Sequence, residues 1–268
     1  MLFSIITVCF NSAKTIRSTF DSVLAQDFDD YEYIVIDGAS TDATCDIIRE
    51  YEPKFRGRMR WISEPDDGIY FAMNKGIRTA RGEYLNFMNS DDSFEPGALR
   101  KTAEVIAAHP DLGVYFGLIR RMDAEGKEMW LVRYHPDCLL RGIGTSLCHQ
   151  GVFERRELLE KYGLFSTRYR VFADMHHFSI LKRNGESFYP LDFCVAKYGS
   201  EGISSTRDHS EEFYDLNIEL GIPPYTPRKK WVDCWKKRIR RPIAAAADTL
   251  LSFCYRAACL LRRGDPEN

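Results

Sequence analysis

An α/β fold, a mostly parallel sheet with helices on both faces, is predicted for this sequence by three observations. Over the first 120 residues, strand-like segments alternate with segments of helical periodicity, the pattern of strand–helix–strand units. The opening strand, Leu2-Phe-Ser-Ile-Ile-Thr-Val-Cys9, is a nearly continuous apolar run, as a strand covered on both faces must be. Three strands run out into polar turns, two of them carrying carboxylates, and open α/β sheets collect ligands at the carboxyl ends of their strands.

Taken in order, the first strand is Leu2 to Cys9, and Asn11 and Ser12 stand where they can cap a helix over 13–25. Tyr31-Glu-Tyr-Ile-Val-Ile36 is the second strand, ending in Asp37-Gly-Ala-Ser-Thr-Asp42. Residues 42–52 read as a helix with Ile47, Ile48 and Tyr51 on one face. Arg58 to Ser63 is a short strand, and Ile69 to Ala80 a helix with Ile69, Met73 and Ile77 on one stripe. A strand over 84–88 and a helix from Pro96 to Ala108 complete this half. Beyond it, Val114 to Arg121 and Met129 to Tyr134 flank Asp123-Ala-Glu-Gly126 as the arms of a hairpin. A Gly-rich stretch, Arg141 to Gly151, has little pattern; helices are expected over 155–162 and 173–184. Ser187 to Val195 reads as a strand, and Pro190 within it argues for the sheet edge. Gly221-Ile-Pro-Pro-Tyr-Thr-Pro227 is a breaker-rich linker, so one domain over 1–220 and a tail over 221–268 are expected.

At 268 residues and 44% hydrophobic content, the chain can bury a sizeable core without covalent staples. Its eight cysteines lack Cys-x-x-Cys or zinc-ligand spacing, so reduced thiols in a cytosolic setting are expected, Cys9 and Cys194 in the core. No basic leader precedes the strand at Leu2, which points the same way. The net charge of −2 is unevenly spread: residues 225–268 hold 11 Lys and Arg against 4 Asp and Glu, the remainder 26 against 35. An acidic body argues against nucleic acid as a partner. The tail carries Trp231 and Trp235 ahead of a mostly apolar 243–261 that is interrupted by Asp248 and Arg256. Those charges argue against a bilayer span and for an amphipathic helix lying on a membrane surface through 228–263. A helix packed on the protein's own body with a solvated basic face is the other reading.

The chemistry gathers at strand ends. Arg81-Gly-Glu-Tyr-Leu-Asn-Phe-Met-Asn-Ser-Asp-Asp92 is a strand running into an acidic turn. Asp91 and Asp92 together can hold a hard divalent cation, and the cation a diphosphate. Alternatively, Asp92 or Ser93 caps the helix that follows. Thr7-Val-Cys-Phe-Asn11 and Asp37 with Ser40 to Asp42 should reach the same edge. Asp37 can accept hydrogen bonds from a base or ribose edge, or can serve as a turn residue before Gly38. In Ser63-Glu-Pro-Asp-Asp-Gly-Ile-Tyr-Phe-Ala-Met-Asn-Lys-Gly76, Asp67 and Asn74 would line a nucleotide pocket; otherwise Asn74 and Lys75 are an exposed helix face. No Gly-x-Gly-x-x-Gly or P-loop sequence is present, which excludes the usual nicotinamide, flavin and P-loop sites.

As an ordered set, Ser4-Ile-Ile-Thr-Val-Cys-Phe-Asn-Ser12, Tyr33 to Thr44, Ser63 to Tyr70, Asn74-Lys-Gly76, Ala80 to Tyr84 and Asn89-Ser-Asp-Asp92 resemble the family 2 glycosyltransferases of GT-A fold, similar to transferases of bacterial colanic-acid and O-antigen synthesis. His149-Gln150, Phe172-Ala-Asp174 and Gly202-Ile-Ser204 are weaker echoes. The resemblance implies a Rossmann-like GT-A domain, residues 1–110 its nucleotide-binding half and 111–220 its acceptor half. It implies a UDP-sugar donor, with uracil held by Asp37 above the main chain of Thr7 to Phe10. Thr7, Cys9, Asn11, Asp67, Asn74, Lys75, Arg81 and Asp91 would surround the nucleotide-sugar. Asp92 would ligate Mn2+ or Mg2+, and His149 would be a further ligand or an acceptor-phosphate contact, although a lone histidine is more often structural. Asp174 would be the general base, or else the N-cap of its helix. The acidic motif here is Ser-Asp-Asp rather than Asp-x-Asp, and the family's Glu-Asp pair is Ala-Asp. His176 and His177 read as structural.

The implied mechanism follows from charge. A cation neutralises the leaving diphosphate, a carboxylate takes the proton of the attacking hydroxyl, and one displacement inverts the anomeric carbon. The implied acceptor is a polyprenyl-diphosphate-linked glycan on the inner face of a bacterial plasma membrane. A sugar nucleotidyltransferase would want a Gly-rich loop where Cys9 to Lys14 has no glycine. A sugar-nucleotide-binding module without turnover is the remaining alternative, and the joint presence of Asp37, Asp92 and Asp174 argues against it.

Overall fold

β1 (Phe3–Cys9) is buried at every residue, as its apolar run requires. It pairs in parallel with β2 (Tyr31–Asp37), Cys9 facing Asp37, and on its other side with β4 (Tyr84–Phe87). β2 pairs in parallel with β3 (Met59–Ser63), which sets Ser63 opposite Asp37. Parallel neighbours need crossover connections. These are supplied by α1 (Ile16–Leu24), by α2 (Thr44–Tyr51) with a 3₁₀ turn over Glu52–Phe55, and by α3 (Ile69–Thr79). Tyr33 and Phe55 pack between these helices and the sheet with ring centroids 4.9 Å apart. A pair like this adds about 0.5–1.5 kcal/mol beyond its area burial.

The computed structural model describes residues 1–123, 126–132, 135–140, 147–199 and 209–222, all within one compact unit, Met1–Pro223. The linker from 223, the tail expected to lie on a membrane, Gly202-Ile-Ser204 and the Gly-rich residues 141–146 lie outside the described residues.

Past β4 the sheet becomes mixed. β5 (Ser93–Phe94) and α4 (Ala98–Ala108) follow the acidic turn. β6 (Val114–Met122) and β7 (Glu128–Val132) form the expected hairpin. β8 (Val152–Arg155) inserts antiparallel between β4 and β6, and β9 (Phe188–Gly199) runs parallel to β6. The order is β3-β2-β1-β4-β8-β6-β9-β5. α5 (Arg156–Tyr162) and α6 (Ala173–Arg183) fall where periodicity puts them; α7 (Ser210–Glu219) has no counterpart in the sequence reading. The edge expected for Ser187 to Val195 holds: that part of β9 pairs only with β6, and the two-residue β5 meets β9 further on, at Ala196 and Lys197. Pro190 is accommodated because it lies in the part of β9 that pairs only with β6. Among the described residues no helix is long and apolar enough to cross a membrane.

Asn11 and Ser12 do not cap α1, whose N-cap residue is Thr15 with no side-chain cap bond. Asn11 adopts a left-handed φ of 50° and turns its amide oxygen to the N–H groups of Thr41 (2.9 Å) and Asp42 (3.3 Å). Ser12 Oγ lies 2.8 Å from Ser90 Oγ. The turns after β1, β2 and β4 are thereby laced together at the carboxyl edge of the parallel strands.

Candidate active site

Asp37, the last residue of β2, is fully buried. Its carboxylate accepts from the Ser40 N–H (3.0 Å), the Ser40 hydroxyl, the Ser63 hydroxyl (2.6 Å) and the thiols of Cys45 (3.3 Å) and Cys9 (3.6 Å). Burial alone would raise its pKa; the hydrogen bonds from Ser40 and Ser63 outweigh it and hold the carboxyl below its usual range. Burial, with the Asp37 charge next, pushes the Cys9 thiol up. Phe10, one residue past β1, is 63% exposed and its ring leans over Gly38 beside Asp37.

The acidic turn after β4 divides its pair: Asp91 is exposed, whereas Asp92 is only 3% exposed. Asp92 Oδ2 accepts from Gln150 Nε2 (2.7 Å) and Oδ1 from the Gly199 N–H (3.3 Å). Thr19 of α1 donates to the Asp92 carbonyl at 2.7 Å and fixes the turn. The helix-capping alternative falls away, because α4 starts at Ala98 behind Gly97 and has no side-chain cap. Burial, with the neighbouring Asp91 charge next, pushes Asp92 up to about 7. A buried carboxylate beside a second negative charge is relieved by a cation.

Asp174 lies in the first turn of α6, behind the N-cap residue Phe172, so it is not the cap. Its Oδ1 accepts from the Met175 N–H (2.7 Å) and from Tyr70 OH (3.2 Å). Its Oδ2 lies 3.1 Å from His149 Nδ1. An ionised carboxylate only accepts, so the proton belongs on Nδ1, and Nε2 keeps a lone pair. Among the described residues that Nε2 is buried without a hydrogen-bond partner. His149 and Gln150 are consecutive in the 3₁₀ turn His149–Gly151 that leads into β8. One turn therefore holds Asp174 with its first residue and Asp92 with its second. Among the described residues no cluster of three or more His, Cys, Asp or Glu could bind a metal ion unaided.

Other expected site residues are placed differently. The Thr7 hydroxyl is buried in the sheet, accepting from Tyr33 OH at 2.9 Å, so only its main chain remains for a ligand. Arg81 sits ahead of β4, where its N–H donates to Glu32 (2.6 Å) at the amino ends of the strands. This corrects its assignment to the nucleotide-sugar, since the strand length separates it from the carboxyl edge. Asn74 is not an exposed residue or a pocket wall: its amide binds both the carbonyl (2.8 Å) and the N–H (3.1 Å) of Phe165, bracing the segment that leads to Asp174. Lys75 is paired with Asp66 (2.6 Å) and Glu64 (2.8 Å) across the loop before α3. Asp67 is exposed in that loop. His177 and His176, read as structural, pair with Glu154 (2.6 Å) and Glu219 (3.4 Å).

Sequence reasoning assigned no role to Phe10, Tyr70 or Gln150 side chains. Gln150 had a signal in the His149-Gln150 pair and Tyr70 in the Ser63 to Tyr70 stretch. Phe10 had only its position past the end of an apolar strand.

The family model for glycosyl transferase family 2 matches residues 4–186. The PGL/p-HBAD biosynthesis glycosyltransferase of Mycobacterium tuberculosis is 34% identical over 227 residues, 82% of this chain and 87% of that protein. Among solved structures, S. aureus TarS 1-349 in complex with UDP-GlcNAc superposes with a TM-score of 0.64 at 23% identity, covering 82% of this chain and 65% of TarS 1-349. The mannosyltransferase PcManGT from Pyrobaculum calidifontis, in complex with GDP-Man and Mn2+, does so with a TM-score of 0.64 at 20% identity, covering 98% and 79%.

Proposed function

Because the chain belongs to glycosyl transferase family 2 and has its GT-A fold, we propose that the carboxyl edge of its sheet takes a sugar from a UDP-sugar and passes it, with inversion, to a saccharide hydroxyl. The observation that carries this reading is the link between Asp92 and Asp174 through Gln150 and His149, on the same edge as Asp37. Transfer needs those three functions side by side: a hold on the nucleotide, neutralisation of the leaving group and a base.

Asp37 is an anion at the end of β2, suited to the N–H of a uracil. Rotation of the Ser63 or Ser40 hydroxyl frees a lone pair on it, and the exposed Phe10 ring offers an apolar face to a base. The residues also fit a divalent cation. Asp92 uses two of its carboxylate's roughly four acceptor positions, and His149 offers a buried, unpartnered Nε2 oriented by Asp174. Mn2+ or Mg2+ held by Asp92, with His149, would act as a Lewis acid on the leaving diphosphate. Two protein ligands do not fill an octahedral shell, so the ion would bind chiefly together with the diphosphate. Asp174 accepts from the Met175 N–H and faces His149 Nδ1, while the single Tyr70 proton is shared with the Val171 carbonyl (2.6 Å), so the carboxylate keeps acceptor capacity for an attacking hydroxyl.

TarS was solved with UDP-GlcNAc and PcManGT with GDP-Man, so a panel of UDP-, GDP- and dTDP-sugars, scored by thermal shift with and without Mn2+, tests the donor. UDP-sugars should raise Tm most, and more with Mn2+. A chain that no nucleotide-sugar stabilises would sink the reading. The acceptor is proposed to be lipid-linked, at the inner face of the bacterial membrane, on the strength of the basic, tryptophan-bearing 228–263. Removing 228–268 should then abolish partition onto anionic vesicles; undiminished partition would exclude the tail as the anchor.

A further inference from the structure

Arg121 lies near the end of β6, cross-strand from Trp130 of β7 on one side and Tyr198 of β9 on the other. Its guanidinium carbon is 4.9 Å from the Trp130 ring centroid and 5.4 Å from that of Tyr198. Two aromatic rings holding a guanidinium leave its donors to point outward at its edges, the geometry that grips oxyanions. Among the described residues the Arg121 Nε is buried without a hydrogen-bond partner. This sets Arg121 apart. The other half-buried arginines among the described residues, Arg58, Arg60, Arg120, Arg155 and Arg156, each pair with a carboxylate. Among the described residues none pairs with Arg121. A desolvated cation without a counter-charge is costly, and a ligand that brings the charge removes the cost.

Its position says which ligand. Arg121 faces Tyr198, and the next pair in that ladder is Met122 with Gly199, whose N–H holds Asp92. Tyr198 is the residue before Gly199, so along β9 the clamp stands one position from the main-chain contact with Asp92. Across the sheet the order runs β2 with Asp37, β1, β4 leading to Asp92, β8, then β6 with Arg121. The guanidinium is on the far side of Asp92 from Asp37. A nucleotide-sugar that extends from Asp37 to Asp92 leaves Arg121 facing the incoming substrate.

We propose that Arg121, clamped by Trp130 and Tyr198, is the subsite for an oxyanion carried by the acceptor, a phosphate or a carboxylate. The direction of approach rests on the donor reading above; the clamp itself does not. Calorimetric titration of hexyl phosphate, and separately of hexanoate, into the full chain loaded with UDP and Mn2+ tests it. The preferred probe identifies the oxyanion. At least one should bind the wild-type protein, and Arg121→Gln should weaken it about tenfold or more, the loss of a charge-assisted fork. UDP affinity of the variant should be unchanged, which also shows that it is folded. Three results would overturn the proposal: neither probe binds, Arg121→Gln binds them as well as wild type, or Arg121→Gln weakens UDP equally, which would make Arg121 a donor-diphosphate contact. If UDP fails to bind the wild-type chain, the donor reading falls, while the two titrations still report on Arg121.

Discussion

Asp174→Asn is expected to lower kcat by roughly 10²–10⁴-fold, the usual contribution of a positioned general base. UDP affinity measured without metal should not change. Asparagine matches the carboxylate in shape and can still accept from the Met175 N–H and from Tyr70. It cannot take a proton. Its amide NH2 would also face His149 Nδ1, which favours the other tautomer and puts the proton on Nε2. The variant therefore carries a second readout. If His149 Nε2 is a metal ligand, Mn2+ affinity in the presence of UDP falls as well, by about 10–100-fold, as for other disturbed carboxylate–histidine–metal arrangements. A kcat near that of wild type would place the base elsewhere.

Asp92→Asn should be more damaging to metal-dependent turnover, by about a thousandfold or more, because Lewis-acid stabilisation of a leaving diphosphate is worth several kcal/mol. Asparagine is preferred to alanine here. Truncation would strand the Gln150 amide and the Gly199 N–H at a buried position, at about 1–3 kcal/mol for each group left unsatisfied. Asparagine keeps an acceptor for one of them and removes the charge. Turnover that stays Mn2+-dependent in this variant would mean that the cation is held by other groups.

The parallel half of the fold was legible because its signals are local. A strand buried on both faces must be apolar throughout, and β1 is; the helices of the crossovers carry one apolar stripe each. β5, of two residues, has no period to read, and β8 emerges directly from a 3₁₀ turn at the end of a Gly-rich stretch with little pattern. Pro190 was a sound signal: the part of β9 that holds it pairs only with β6, while the short β5 joins further along, at Ala196 and Lys197. In the site, the convergence expected of Asp37 and Asp92 follows from parallel strands presenting their ends on one edge. Asn74 and Arg81 were misassigned for a common reason: composition near a strand end does not say where a side chain points. Asn74 spends its amide on the Phe165 main chain, and Arg81 stands at the opposite edge. Gln150 gained its role only when the turn before β8 met the turn after β4, residues remote in sequence joined by one 2.7 Å hydrogen bond.

The most direct measurement is the affinity of UDP with Mn2+ and with EDTA, by calorimetry, in the wild-type chain and in Asp92→Asn. If nucleotide and cation share one hollow, Mn2+ tightens UDP binding by about tenfold or more, a coupling of at least ~1.4 kcal/mol, and Asp92→Asn erases that coupling while weak metal-free binding at Asp37 persists. UDP affinity indifferent to Mn2+ in the wild-type chain, or a coupling that survives without the Asp92 charge, would contradict the account.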